Sequence, residues 1–239
     1  REERLKCNRM SIDLENCSQL MSKTPNSVAS AVIYIVFKNK INKNEICEKC
    51  SVSIPTINKI LSTIKTKKLT HIDIGCGNGF ITKKISPLFR ETVGIDLSAK
   101  GIAYAKKNSN LSNAKFLNKD IGSLINVRKK FDFVTSIEVL EHQYDPFKFM
   151  RDIEKVTKKG GYVLITTPYH GYIKNLVISL FGLMDKHYTA LWTHGHIKFF
   201  SIKTLKKLIS NYKFKIIKIK YSGRIYPLSS SMIFLLKKM

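Results

Sequence analysis

Two aspartates flank a glycine-rich turn in this chain, and their pairing is the first place where residue types and spacing suggest chemistry. Asp73 stands two residues ahead of Gly75-Cys76-Gly77-Asn78-Gly79, and Asp96 ends the next apolar run, Thr92-Val93-Gly94-Ile95. Glycines let the backbone turn sharply and approach a ligand with no Cβ in the way. A carboxylate at the end of a second strand can accept both hydroxyls of a ribose. A dinucleotide loop would carry a third glycine, G-x-G-x-x-G, ahead of a helix that faces a pyrophosphate. Here Phe80 falls at that place. An acid at Asp73 suits a cationic or amine-bearing ligand better than a pyrophosphate. Nucleotide-dependent redox chemistry is the alternative reading of the same loop.

A second set of chemical groups follows the apolar run Phe131–Ile137. It reads Glu138-Val139-Leu140-Glu141-His142. Ligands of open α/β sheets sit outside the carboxyl ends of strands, so these side chains point at a reaction site. A third set lies between residues 170 and 196, which hold four of the six histidines (His170, His187, His194, His196) and the only tryptophan, Trp192. Imidazoles titrate near neutral pH and serve as general bases. The candidate catalytic residues are therefore Glu138, His142, His170, His194 and His196.

These groups need elements to position them. Thr70–Ile74 reads as a strand, and Phe80, Ile81, Ile85 and Leu88 recur at helical spacing after it. A helix over 98–108, a strand over 114–117, a strand over 131–137, a helix over 145–158 and a central strand over 162–168 follow. The order βαβαββαβ predicts a mostly parallel α/β sheet with right-handed crossovers. A helix over 201–211 and a strand pair, 215–221 with 232–236, close it. The stretch 169–200 is too long for a plain connection. It holds an apolar helix over 173–184 and should cover the substrate; that helix could also rest on a membrane surface.

The chain has 239 residues, 44% of them hydrophobic, and a formal net charge of +25. Residues 1–66 carry 11 basic and 6 acidic side chains, and residues 67–239 carry 31 and 11. Such a field favours nucleic acid, anionic lipid or an acidic substrate, although lysines scattered along the chain also describe an ordinary solvated surface. No run reaches the ~18 apolar residues of a membrane span. Five cysteines with no secretory pattern fit a reducing cytoplasm. Cys47-Glu48-Lys49-Cys50 is a lone C-x-x-C, so no metal ligand is assigned there.

Residues 1–66 read as a separate helical domain, with a boundary at Lys65-Thr66-Lys67-Lys68. Ser27–Lys38 is apolar on nearly all sides, and 44–50, 51–53 and 54–64 have a helix-turn-helix layout. Thr24–Tyr34, Asn44-Glu45-Ile46 and Ser51–Ile57 resemble the end of a cyclin-like repeat, that of transcription initiation factor IIB. The resemblance implies that Pro55, Thr56, Asn58 and Lys59 face DNA; a DNA-binding protein with a fused second domain is the alternative reading of the whole chain. The first two helices of that repeat have no counterpart here.

Residues 67–239 resemble class I S-adenosylmethionine (SAM) methyltransferases, on Asp73–Gly79 and Gly94-Ile95-Asp96-Leu97. The resemblance implies a Rossmann-like, mostly parallel sheet with an antiparallel last strand. It implies that Asp73, Gly75, Cys76, Gly77, Asp96, Leu97, Asp120, Ile121 and Ser136 hold SAM, Asp120 at the adenine amino group and Ile121 over the ring. Glu138-x-x-Glu141-His142 is similar to the string of ubiquinone-type polyprenyl O-methyltransferases, where it is associated with a divalent metal. The same string occurs in methyltransferases without one, and the non-metal role is the reading adopted. Thr167–Tyr172, His194–Phe199 and Gly223-Arg224-Ile225 look like a small-molecule methyltransferase subgroup. The implied reaction is methyl transfer to an oxygen, less readily a nitrogen, of a small-molecule, sugar or lipid-quinone-like acceptor.

Overall fold

A computed structural model describes residues 68–124 and 129–239 apart from 189, 194, 224 and 225, with the backbone alone at 125. The helical domain expected over 1–66, its DNA-facing residues Pro55, Thr56, Asn58 and Lys59, and His194 lie outside the described residues.

Strands β1 (Thr70–Ile74), β2 (Glu91–Asp96), β3 (Ala114–Asn118), β4 (Phe131–Ile137), β5 (Thr157–Pro168), β6 (Phe214–Ser222) and β7 (Ser231–Lys238) form one sheet. Their order is β3-β2-β1-β4-β5-β7-β6. The first five pair in parallel, and β7 runs antiparallel to both β5 and β6. The expected α/β sheet with its antiparallel last strand is present. The reversal in strand order between β1 and β4 puts a crevice at the carboxyl ends of those two strands.

Helices α1 (Phe80–Ile85), α2 (Ala99–Lys107), α3 (Ile121–Ile125), α4 (Pro146–Val156), α5 (Tyr172–Leu180), α6 (Met184–Tyr188) and α7 (Ile202–Ile209) make the crossovers and cover the sheet. All five residues of β1 are buried, the polar His71 and Asp73 among them. One core face joins Ile72, Ile74, Val93, Ile95, Val134 and Val163 to Phe149, Met150 and Ile153 of α4 and Leu205 and Leu208 of α7. The other joins Phe133, Ile137, Leu164, Ile233 and Leu235 to Ile85 and Phe89.

Three local expectations need correction. A short helix, α3, stands between β3 and β4; Asp120 starts it by accepting from the Ser123 amide at 2.8 Å. Helix α4 ends at Val156, not 158, and Lys158–Gly161 instead bulge out of the β4–β5 ladder, with Gly160 at φ 76°. The apolar helix over 173–184 is two helices, broken where Gly182 takes φ 61°. In α4 the inward aromatic is Phe149, and Phe147 faces out at 51% exposure. Asp145 caps that helix through the Lys148 amide and Pro146 occupies its first turn.

Candidate active site

The glycine turn sits where β1 opens into the crevice. Gly75 and Cys76 each donate their amide to the Ile95 carbonyl, at 2.8 and 3.0 Å, which lashes the turn to the end of β2. Gly75 and Gly79 both have φ 75°, a conformation that excludes an ordinary side chain at little cost only for glycine. A Cβ on Gly75 would stand 2.3 Å from a methyl of Val139. The turn therefore packs directly on the chain that carries Glu138 and Glu141.

Asp96 faces this turn. Its Oδ2 accepts from the Gly77 amide at 2.7 Å and its Oδ1 from the Ser98 amide at 2.7 Å. Each carboxylate oxygen has a second lone pair, so these bonds fix the group and leave it able to accept from a ligand hydroxyl. Asn118 braces the same corner by donating to the Asp96 and Leu97 carbonyls, both at 2.9 Å. Leu97 projects from the rim at 76% exposure.

Other residues assigned to the cofactor sit deeper. Asp73 is 2% exposed; the Thr82 hydroxyl donates to it, and the Thr135 hydroxyl donates at 2.6 Å. It acts beneath the turn as an anchor between β1, α1 and β4. The Cys76 side chain packs with Ile102, Ala105 and Phe116 under α2, so only its backbone belongs to the turn. Ile121 lies in the main core. Asp120 uses Oδ1 to start α3. Ser136 is fully buried, and its hydroxyl has no hydrogen-bond partner.

At the carboxyl end of β4 the chain takes an unusual step. Glu138 has φ 54°, and among the described residues no other non-glycine residue has a positive φ. Such backbone persists where its surroundings impose it, commonly at sites of function. Thr166 imposes it here. Its hydroxyl donates to Glu138 Oε1 at 2.8 Å and receives the Glu138 amide at 3.0 Å. The step directs Glu138 toward β5 and lets the following turn, Leu140–His142, carry Glu141 inward. Glu141 is 0% exposed, beside the Glu138 carboxylate and the Thr167 hydroxyl. Burial, and then the neighbouring Glu138 carboxylate, push its carboxyl well above the ordinary range.

The segment after β5 folds back over this turn. The Ile197 and Lys198 amides both donate to the Glu141 carbonyl at 3.0 Å, and His142 Nδ1 lies 3.2 Å from the Gly195 carbonyl. His196 is thereby brought beside His142, with ring centroids 5.0 Å apart, and its Nε2 lies 3.9 Å from Glu141 Oε1. Burial, reinforced by His142, lowers the His196 pKa to about 4. His170 is 7% exposed, with neither ring nitrogen hydrogen-bonded, and burial lowers its pKa to about 3. Its ring meets His187, Tyr188 and Phe199 at 5.4, 5.9 and 5.0 Å between centroids, a mutually packed aromatic cluster.

The sequence singles out the glycine turn, Asp96 and the Glu138–His142 string, but not the threonines that hold Asp73 and Glu138. These are Thr82, Thr135 and Thr166, and Thr167 is a further fully buried hydroxyl, beside Glu141. Paired threonines at the end of an otherwise apolar central strand were the available signal. A separate cleft of about 650 Å³, lined by Lys129, Lys130, Glu154, Lys155, Lys213 and Lys238, opens at the opposite end of the strands and has no part in this site.

A sequence model described as a methyltransferase domain matches residues 65–215. The chain is similar to the ubiquinone biosynthesis O-methyltransferase of Pelagibacter ubique, with 32% identity over 147 residues, 59% of this chain and 60% of that protein. It therefore spans about three fifths of that relative's length. Among solved structures, the cyclopropane synthase MmaA2 from Mycobacterium tuberculosis superposes with a TM-score of 0.64 at 15% identity, over 84% of this chain and 88% of that one. The N-methyltransferase NodS from Bradyrhizobium japonicum in complex with S-adenosyl-L-homocysteine superposes with a TM-score of 0.55 at 14% identity, over 77% of this chain and 86% of that one. These two likenesses concern the fold.

Proposed function

This chain belongs to the methyltransferase domain family, and on that premise we propose that it transfers the methyl group of SAM to an oxygen of a planar, phenol- or quinol-like acceptor. The carrying observation is Asp96: its carboxylate is fixed against the Gly77 amide, at the mouth of a turn that lacks the third glycine of a pyrophosphate loop. In this reading Asp96 accepts the ribose hydroxyls and Leu97 covers the adenine. Asp73 supports the turn from below. Asp120, Ile121, Ser136 and the backbones of Gly75, Cys76 and Gly77 complete the cofactor side.

The reaction needs no covalent help from the protein. The acceptor oxygen attacks the methyl carbon in line, the carbon–sulfur bond breaks, and the sulfonium becomes a neutral thioether. Alignment in a water-poor pocket supplies the rate. The acceptor hydroxyl gives its proton to His142, beside which His196 and the buried His170 stand as neutral imidazoles. Glu138, held by Thr166, shapes the floor beneath.

An oxygen acceptor of quinol type is supported by the name of the Pelagibacter relative. Contact with a membrane carrying such an acceptor is supported by α5 and α6, where Tyr172, Leu180, Phe181 and Met184 are exposed at 80, 71, 72 and 47%. No helix among the described residues is long and apolar enough to cross a membrane. The test is calorimetric titration of the full chain with SAM, followed by labelled SAM with catechol- and quinol-type acceptors. Binding that weakens on Asp96→Ala supports the reading. A chain that takes up no SAM overturns it.

A further inference from the structure

We propose that the cleft at the end of the sheet where the parallel strands begin binds a small anion carrying two or more phosphoryl groups. The cleft measures about 650 Å³, within the range of small-molecule sites and larger than one phosphate needs. Five lysines line it: Lys129 and Lys130 ahead of β4, Lys155 in the last turn of α4, Lys213 ahead of β6, and Lys238 at the end of β7. Glu154 is the one acid in that lining. These lysines come from four separate places in the chain, so the fold, not a run of basic residues, brings them together.

The positive charges outnumber their partners. Lys238 serves the end of α4: its ammonium donates to the Glu154 carbonyl and, at 2.9 Å, to the Thr157 carbonyl. That is ordinary work for a cation at a helix C-terminus. Lys129 pairs with Glu91 at 3.1 Å, and the nearby Asp132 is taken up by Lys158 at 2.9 Å. The Glu154 carboxylate accepts from the Lys213 backbone amide at 3.0 Å. Among the described residues, Lys130, Lys155 and Lys213 have no carboxylate at ion-pair distance, the terminal one of Met239 included. The crowding is felt within the cleft. Burial lowers the Lys238 pKa, and Lys130 and Lys213 lower it further against the opposing pull of Glu154. An anion seated among these ammonium groups replaces repulsion with attraction.

The lining also selects the kind of anion. It holds no aromatic ring and no guanidinium, so nothing there stacks on a base or grips a carboxylate as a planar fork. Lysine ammonium groups act as point charges, which suits phosphoryl oxygens presented in several directions. Val156 and the methylene stems of the lysines form the wall between the charges. Three unmatched ammonium groups call for more than a single monoanion. Their convergence on a concavity favours a compact ligand over duplex nucleic acid, which is met by a basic stripe along a face. The cleft is remote from the glycine turn, so this site stands independently of the methyl-transfer reading.

The test is calorimetric titration of the full chain with sodium tripolyphosphate at low and at raised sodium chloride. The expected result is one equivalent bound, more weakly as salt rises. Lys130→Gln/Lys155→Gln/Lys213→Gln should weaken binding about tenfold or more, at roughly twofold to fivefold per exposed charge lost. Lys203→Gln/Lys206→Gln/Lys218→Gln removes the same charge from exposed positions on α7 and β6 and should stay within about twofold of the parent. Asp96→Ala should bind tripolyphosphate as the parent does, which separates this site from the glycine turn. Urea unfolding without ligand guards against misfolding, and Lys155→Gln alone serves if the triple variant fails to fold. Parallel titrations with duplex DNA and with phosphatidylglycerol vesicles distinguish the sources of phosphate. The proposal is overturned by absence of tripolyphosphate binding, by equal weakening in the two triple variants, or by DNA or vesicles using the cleft lysines where tripolyphosphate does not.

Discussion

At the scale of single residues, the turn at 75–79 is governed by sterics and Asp96 by hydrogen bonding. Gly75→Ala meets two separate penalties. Its φ of 75° is left-handed, which costs an L-residue roughly 1–2 kcal/mol. Its Cβ would also collide with Val139, an overpacking worth about 1–3 kcal/mol. Urea unfolding of Gly75→Ala and of Gly75→Ala/Val139→Ala should show the double variant recovering part, not all, of the loss. Additive destabilisation in the double variant would mean that the two side chains do not meet. For Asp96→Ala, losing a charged acceptor costs about 1.5–3 kcal/mol, a ~10–100-fold weakening of SAM binding by calorimetry. Asp96→Asn keeps the shape and should fall between the two.

At the scale of elements, the segment between β5 and α7 closes over the turn at the end of β4. It is tied down at both ends: the His170 amide donates to the Phe200 carbonyl at 3.0 Å, and the Ile197 amide to Glu141. Between these ties α5 and α6 present their apolar side chains outward. On the proposed membrane contact, the +25 charge of the chain would add attraction to anionic lipid. Co-sedimentation with vesicles containing phosphatidylglycerol should drop several-fold for Leu180→Ser/Phe181→Ser, at ~0.8 kcal/mol per buried CH₂ removed. SAM affinity should be unchanged, because neither side chain is in the cofactor crevice. Equal sedimentation of parent and variant would remove the membrane from the account.

At the scale of the whole molecule, buried histidines set the response to acid. Burial lowers His71 and His170 to about 3 and His196 to about 4. His71 is enclosed between the Thr92 and Thr135 hydroxyls and stacked on Phe89. In the unfolded chain these rings take up protons near pH 6.5. Between pH 6.5 and about 4 the unfolded state binds more protons than the folded one, so stability falls as pH drops through that window. Each ring contributes about 1.4 kcal/mol per pH unit there. Glu141, whose carboxyl is raised, acts oppositely and only above the ordinary carboxylate range. Urea midpoints measured from pH 7 to 5 should decline in the parent and decline less steeply in His71→Gln, by one ring's share. A profile in which the variant and the parent run parallel would show that His71 titrates normally in the fold.

The linear order of residues determined the sheet and the place of the glycine turn by itself. Hydrophobic periodicity fixes strands and helices, a parallel βαβ unit has one favoured hand, and a glycine turn between β1 and α1 can face only the crevice at the strand ends. Asp96 was legible for the same reason: its distance from the turn is one helix and one strand. The group at the end of β4 was legible only as a list of polar residues. Whether Glu138 or His196 joins Glu141 and His142 depends on a positive φ imposed by Thr166 and on two amides that arrive from 197 and 198. Contacts between residues fifty apart have no periodic signature. They follow from how a long segment closes over a strand end, and that is settled by tertiary packing alone.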